Sequence, residues 1–242
     1  MQAAEQARLD ALIAAEGKAM VMLSMVEDLE LIRPGRTEKQ IETDIYALAA
    51  EAFGVEKHWH KRIVRAGANT VRLFHENPPD LTVGEDDTVF LDLGPVFDAW
   101  EADVGRTYAL GQDAEKRRLV DDLPRIFDAL KAHADADPEI TGAQLYAEAQ
   151  RQAHEAHWLF GGAIAGHIVG EFPHARIPGE KDHYRISPAN PTRLADPDGE
   201  GRMRFWILEV HLVDRQRRYG GFYERLMLPP GYGGASHGGG EA

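Results

Sequence analysis

Two stretches of this chain, Val89-Phe90-Leu91-Asp92-Leu93-Gly94 and Ala102-Asp103-Val104-Gly105-Arg106-Thr107-Tyr108, flank a turn around Phe97-Asp98. Each is apolar enough to be a strand, and each carries an aspartate where burying an unpaired charge is costly. A hairpin centred between residues 97 and 98 sets Asp92 directly opposite Asp103. Such cross-strand neighbours have Cβ atoms about 4.5–5.5 Å apart, so the two carboxylates repel unless a cation lies between them or one holds a proton. A second hairpin repeats the device. Phe205-Trp206-Ile207-Leu208-Glu209-Val210, the turn-like Asp214–Gly221, and Phe222-Tyr223-Glu224-Arg225-Leu226 bring Glu209 opposite Glu224. Two acid pairs inside apolar strands ask for one shared cause. Oxygen donors joined by imidazole are the composition of a two-metal hydrolytic site.

Upstream, Leu9, Leu12, Ile13, Met20, Leu23, Val26 and Leu29 recur at helical spacing, and Pro34-Gly35 stops that helix. Thr37-Glu38-Lys39-Gln40 has the form of a capping box, opening a second helix buried through Ile41, Ile45, Leu48 and Phe53 and closed by Gly54. Short β-rich runs follow at Arg62–Ala66, Thr88–Gly94 and Asp98–Leu110. Leu119–Leu130 predicts a third helix, kinked or started near Pro124, and Thr141 begins a fourth that runs to about His157. Further strands are expected at Ala163–Glu171, Arg204–Val213 and Phe222–Leu228. Helix, helix, strands thus occurs twice, the order of one α+β unit used two times. No linker interrupts residues 1–230, which are expected to form a single domain; Arg176 to Arg204 reads as a polar surface excursion, and Gly231–Ala242, with six glycines, as a disordered tail.

Composition narrows the chemistry. The chain has 242 residues, 27 Lys+Arg against 40 Asp+Glu for a net charge of −13, and no cysteine. Thiol nucleophiles, zinc–thiolate sites and iron–sulfur clusters are therefore excluded. The acidic balance argues against a nucleic-acid partner, and no apolar run reaches the roughly 20 residues of a membrane helix. A signal peptide is not evident, so a cytoplasmic location is the expectation.

Of the 11 histidines, His133, His154, His157, His183 and His237 read as surface residues. His167 stands in a glycine-flanked apolar run, Ala165-Gly166-His167-Ile168-Val169-Gly170, and His174 follows Phe172-Pro173. His75 ends a β-like run. His58-Trp59-His60 has a spacing that could chelate a metal from one strand face, although stacking or surface placement is commoner for such a pair. The sequence assigns no role to His58, His60 or His211.

Taken together, these residues resemble the pita-bread metallopeptidase family, which includes methionine aminopeptidase, aminopeptidase P, prolidase and creatinase. The resemblance spans roughly Ala15 to Leu228 and rests on Asp92 with Asp103, Gly166-His167 with Gly170 and His174, Glu209, and Glu224. It implies an α+β pita-bread fold, two pseudo-symmetric halves around a central metal site, with residues 1–230 as the catalytic domain. It further implies two divalent ions (Mn, Co, Zn or Fe), with Asp92 terminal on one, His167 and Glu209 on the other, and Asp103 and Glu224 bridging. In such a site a metal-bridging hydroxide attacks the scissile carbonyl. Glu209 shuttles the proton, His174 stabilises the oxyanion, and His75 assists the leaving nitrogen or binds substrate.

Some positions depart from the family pattern. Val210-His211 follows Glu209 where the family usually has Pro. Ile168 stands where methionine aminopeptidases tend to carry Gly, and Ala175 where prolidase-like members usually have an acid. Asp103-Val104-Gly105-Arg106-Thr107, by contrast, looks like the proline-peptidase branch. The expected activity is a metal-dependent aminopeptidase cleaving the N-terminal bond of short peptides. Alternatives are an Xaa-Pro dipeptidase or aminopeptidase, a creatinase-like hydrolase of a non-peptide amide, or a catalytically silent binding module. The expected partner is a peptide or small amide, met by a monomer or homodimer, with no nucleic acid and no membrane.

Overall fold

Leu9, Leu12, Ala15, Ala19, Met22, Leu23 and Val26 are buried along α1 (Ala3–Asp28), and this stripe seats the helix on the molecule. Glu16 lies on the same buried face. Its carboxylate accepts hydrogen bonds from the Leu226 amide at 2.8 Å and the Arg225 Nε at 2.7 Å, so the break in the stripe is a tie to the last strand. In this computed structural model residues 1–230 and Tyr232 are described, and the tail expected from Gly231 onward otherwise lies outside the described residues. The Thr37 hydroxyl caps α2 (Glu38–Phe53) in a reciprocal box with Gln40, and Gly54 ends it in the left-handed conformation.

The strands are β1 (Ile63–Ala66), β2 (Thr88–Leu93), β3 (Val96–Phe97), β4 (Trp100–Glu101) and β5 (Val104–Ala109). Next come α3 (Ala114–Ala136) and α4 (Gly142–Glu155), then β6 (Leu159–Phe160), β7 (Gly166–Val169), β8 (Phe205–Val213) and β9 (Gly220–Met227). Pro124 lies inside α3 and does not start it. Asp113 caps that helix further upstream, accepting from the Glu115 and Lys116 amides at 2.8 and 3.2 Å. The helix–helix–strand order occurs twice, as expected.

Seven strands form one antiparallel sheet in the order β1-β2-β5-β9-β8-β6, with β7 also pairing with β8. Alternation along the strands sorts side chains to two faces. Val89, Leu91 and Leu93 join α1 and α2 in one core, and Leu208, Val210 and Leu212 join α3 and α4 in another. Phe90, Asp92, Glu209, His211, Phe222 and Glu224 are left for the opposite face, where a cavity opens. A slip of one residue would exchange these sets.

The second hairpin has the expected register, Glu209 facing Glu224. The first does not. Its turn is Asp98-Ala99, both residues with positive φ (48° and 73°), with Phe97 paired to Trp100, and the centre lies one residue further along. A two-residue turn of that handedness matches the strand twist and sets the register. Asp92 therefore faces Gly105 rather than Asp103, and Asp103 precedes the ladder. Among the described residues no helix is long and apolar enough to cross a membrane.

Candidate metal centre

The carboxylates converge because one row crosses four strands. Asp92 on β2 faces Gly105 on β5, Gly105 faces Glu224 on β9, and Glu224 faces Glu209 on β8. Gly105 is the gap in this row. A Cβ there would come within 2.7 Å of the Phe222 ring and 3.1 Å of the Glu224 Cγ, so only a residue without a side chain leaves room for the acids. Asp103, two residues before Gly105, reaches the same space, and so does His167 from β7: His167 Nε2 lies 3.0 Å from Asp103 Oδ2 and 3.7 Å from Glu209 Oε1. The five residues expected to be ligands are thus brought together on the floor of a cavity of about 440 Å³.

The electrostatics are those of several carboxylates gathered beside two imidazoles. Burial pushes Glu209 up to about 8, with His167 pulling against it. Burial likewise lifts Asp92 to about 6, opposed by His60 and assisted by Asp103. Burial and the charges of Asp103, Asp92 and Glu209 hold Glu224 well above the carboxylate range. Asp103 moves the other way: burial alone would raise it, but hydrogen bonds from His167 and His60 outweigh that and hold it low. For His60 and His167 burial disfavours the imidazolium, yet the facing carboxylates outweigh it and raise each to about 9.

Divalent ions fit these residues. Glu224 Oε1 is buried with no hydrogen-bond partner, an orphan acceptor that a cation would satisfy. Two groups of three residues, His60 with Asp92 and Asp103, and Asp103 with His167 and Glu224, each present one donor atom apiece within 4.8 Å of one another. Carboxylate oxygen with imidazole nitrogen suits Mn, Co, Zn and Fe.

His60 is the main surprise. It belongs to no strand; its ring is buried, with Nε2 at 3.3 Å from Asp92 Oδ1 and 3.2 Å from Asp103 Oδ1. His58, two residues away, points elsewhere and packs on Tyr46, its ring centroids 5.8 Å apart, with both nitrogens unpartnered. The pair does not chelate from one strand face. Trp59 between them wedges its indole against His60, His167 and His174, with centroids 4.3, 5.0 and 5.0 Å away.

His174 lies beside the acids, its ring stacked on His167 at 5.7 Å. Its orientation comes from Glu101, which sequence reasoning missed. The Glu101 carboxylate, 1% exposed, accepts hydrogen bonds from His174 Nδ1 at 2.5 Å and from the His174 amide at 3.0 Å. His75 sits in an exposed turn on the cavity rim rather than at the end of a strand. His211 faces the cavity two residues beyond Glu209, but Nε2 is engaged by the Thr70 carbonyl at 2.8 Å, and burial lowers its basicity. Arg65, Arg72, Lys181 and Arg185 add positive charge to the cavity wall.

The chain belongs to metallopeptidase family M24, whose family model matches residues 11–196. Over 117 residues it is 33% identical to an Xaa-Pro dipeptidase of Lactobacillus helveticus; that match takes in 48% of this chain and 31% of the relative, so the chain matches about a third of that relative's length. Among solved structures it resembles the dipeptidase PepE of Mycobacterium ulcerans, with a TM-score of 0.67, 24% identity, and coverage of 93% of this chain and 55% of that one. It also resembles the prolidase of Pyrococcus furiosus, with a TM-score of 0.67, 20% identity, and coverage of 92% and 61%. At such identities the likeness is one of fold, and the fold is the pita-bread fold that the sequence implied.

Proposed function

We propose that this protein is a dinuclear metal-dependent exopeptidase that removes the N-terminal residue from very short peptides, with Xaa-Pro dipeptides as the favoured class. Residues 1–230 form the catalytic unit in this reading. The observation that carries it is the row Asp92–Gly105–Glu224–Glu209, closed by Asp103 and His167 at the floor of one cavity. Asp92 would hold one ion, His167 and Glu209 the other, and Asp103 and Glu224 both. Bound there, the ions would supply Lewis acidity toward the scissile carbonyl and lower the pKa of a water.

The chain's own groups account for the rest. Glu209, on the cavity floor beside His167, is the group positioned to accept a proton and pass it on. His174, with Nδ1 committed to Glu101, offers Nε2 to the developing oxyanion. His75 lines the same cavity, and in this reading it assists the leaving nitrogen or binds substrate. The dipeptide preference is supported by the Lactobacillus helveticus relative and by the cationic wall. Arg65 is the best placed of its cations: its Nε is buried without a partner, and a substrate carboxylate would satisfy it.

The test is hydrolysis by the metal-stripped protein reconstituted with Mn²⁺, Co²⁺, Zn²⁺ or Fe²⁺. Unblocked Xaa-Pro dipeptides are expected to be cleaved faster than longer Xaa-Pro or Met-Xaa peptides, and N-acetylated ones not at all. A protein that takes up none of these ions and cleaves none of these peptides would sink the proposal. Preferred cleavage of the longer peptides would remove the dipeptide assignment alone.

A further inference from the structure

His60 is set against Asp103 as His167 is. Asp103 Oδ2 faces His167 Nε2 at 3.0 Å, and Asp103 Oδ1 faces His60 Nε2 at 3.2 Å, so the two oxygens of one carboxylate are divided between two imidazoles. Each imidazole is also held from behind in the same way. His60 Nδ1 donates to the carbonyl of the next residue, Lys61, at 2.6 Å, and His167 Nδ1 donates to the carbonyl of its next residue, Ile168, at 2.8 Å. Metal-binding histidines are commonly held so, with the remote nitrogen donating to a backbone carbonyl or a carboxylate, which leaves the near nitrogen's lone pair on the metal side. Two ligand atoms each about 2.1 Å from a shared ion, at tetrahedral to octahedral angles, stand roughly 3.0–3.4 Å apart. The His60 distances to Asp103 and Asp92, 3.2 and 3.3 Å, fall in that span.

The position of His60 is built in. A Cβ on Gly94, at the end of β2, would come within 2.3 Å of the His60 ring and 2.5 Å of the Trp59 Nε1, so glycine there admits both side chains. The Trp59 amide donates to the Gly94 carbonyl at 2.9 Å, and Trp59 Nε1 donates to the Ala102 carbonyl at 3.2 Å. Those contacts tie the Trp59-His60 segment to the loop that delivers Asp103.

We propose that His60 is a ligand of the ion that Asp92 terminates, so that each ion of the pair carries one imidazole, His60 on one side of Asp103 and His167 on the other. This rests on the dinuclear reading above and adds a residue that reading does not use. It changes the donor set of that position from oxygen alone to oxygen with nitrogen. Imidazole suits Zn²⁺, Co²⁺ and Fe²⁺, whereas all-oxygen sites suit Mn²⁺, so this position should discriminate against Mn²⁺.

The experiment loads the metal-stripped full chain with Co²⁺, Zn²⁺ or Mn²⁺ alone, following binding by calorimetry and Co²⁺ by its visible d–d bands. The wild type is expected to take up two ions. In His60→Gln and His60→Ala, one ion should bind at least about tenfold more weakly, the smallest loss typical of removing even a residue that only orients a ligand. The bands of that ion should shift, the other ion should be little affected, and the preference for Zn²⁺ over Mn²⁺ should narrow. X-ray absorption on the Zn²⁺-loaded wild type needs no variant: it should count one imidazole per ion. Half an imidazole per ion overturns the proposal, as do His60 variants that bind both ions as tightly as the wild type or more tightly. A wild type that binds no ion overturns the dinuclear reading itself.

Discussion

Glu209 and Glu224 stand directly opposite each other on β8 and β9, Glu224 buried and Glu209 partly so, in a position where like charges destabilise a sheet. Gly105 faces Glu224 from the other side, and beyond it lies Asp92, so no basic residue interrupts the row. His60 and His167 come from outside it and reach Asp92, Asp103 and Glu209. The row is therefore relieved only by protons on these groups or by metal.

Ion binding should stabilise the fold. An ion present at 100 times its dissociation constant adds about 2.7 kcal/mol, worth roughly 5–10 °C of melting temperature in a chain of this size. Differential scanning calorimetry with and without a strong chelator should show that drop. No shift would count against a tight site. Asp103→Ala and Glu224→Ala should abolish most of the shift and the peptidase activity together.

Gly105→Ala tests whether the gap in the row is needed. The new methyl meets the Phe222 ring and the Glu224 side chain at 2.7 and 3.1 Å, contacts that force one of them to move. Overpacking of this kind costs about 1–3 kcal/mol. Metal affinity should fall as well where Glu224 is the group that moves, because the proposed site uses it as a ligand. A variant that melts and binds Zn²⁺ like the wild type would show that the row tolerates a side chain.

Glu101→Gln keeps the volume and removes the charge that holds the His174 ring. If His174 donates to the oxyanion, kcat should fall by up to about 10²-fold while KM changes little, since the loss falls on the transition state. Metal content should stay at the wild-type level, because Glu101 contacts His174 and none of the acids in the row. An unchanged kcat would leave Glu101 with a purely structural part.

Local signals made much of this legible. Helical spacing located α1 and α2, and centring the second hairpin on its turn gave the correct register of Glu209 against Glu224. The first hairpin was misplaced by one residue because its turn, Asp98-Ala99, holds positive φ without the glycine that usually announces it. Glu101 was invisible for another reason: its partner, His174, lies 73 residues away, and no spacing rule reaches so far. His60 was legible only as half of a chelating pair with His58, because its actual place depends on a missing side chain at Gly94, on the adjoining segment, rather than on any periodicity of its own.

The metal-free protein should lose stability as pH rises from 6.5 to 9. Burial raises Glu209 from 4.5 to about 8 in the folded state, and the facing carboxylates raise His60 and His167 from 6.5 to about 9 in spite of burial. Each of these groups holds its proton more tightly folded than unfolded, so the stability it contributes is present at low pH and lost as pH climbs through the folded value. Three groups act with the opposite sign, but elsewhere: Asp103, lowered from 3.8, acts only in strong acid, His58, lowered by burial from 6.5 to about 4, acts between those values, and His211, also lowered by burial, acts below 6.5. Above pH 6.5 these raised groups, joined by Glu224, which burial and the neighbouring carboxylates also raise, therefore dominate the site's contribution. With a chelator present, the melting temperature should fall by roughly 5 °C or more across that interval. Added Zn²⁺ or Co²⁺ should flatten or reverse the trend, because ions take the place of the protons and bind better as these leave. A chelated protein whose melting temperature rises over the same interval would mean that these side chains do not share one buried, mutually repelling site.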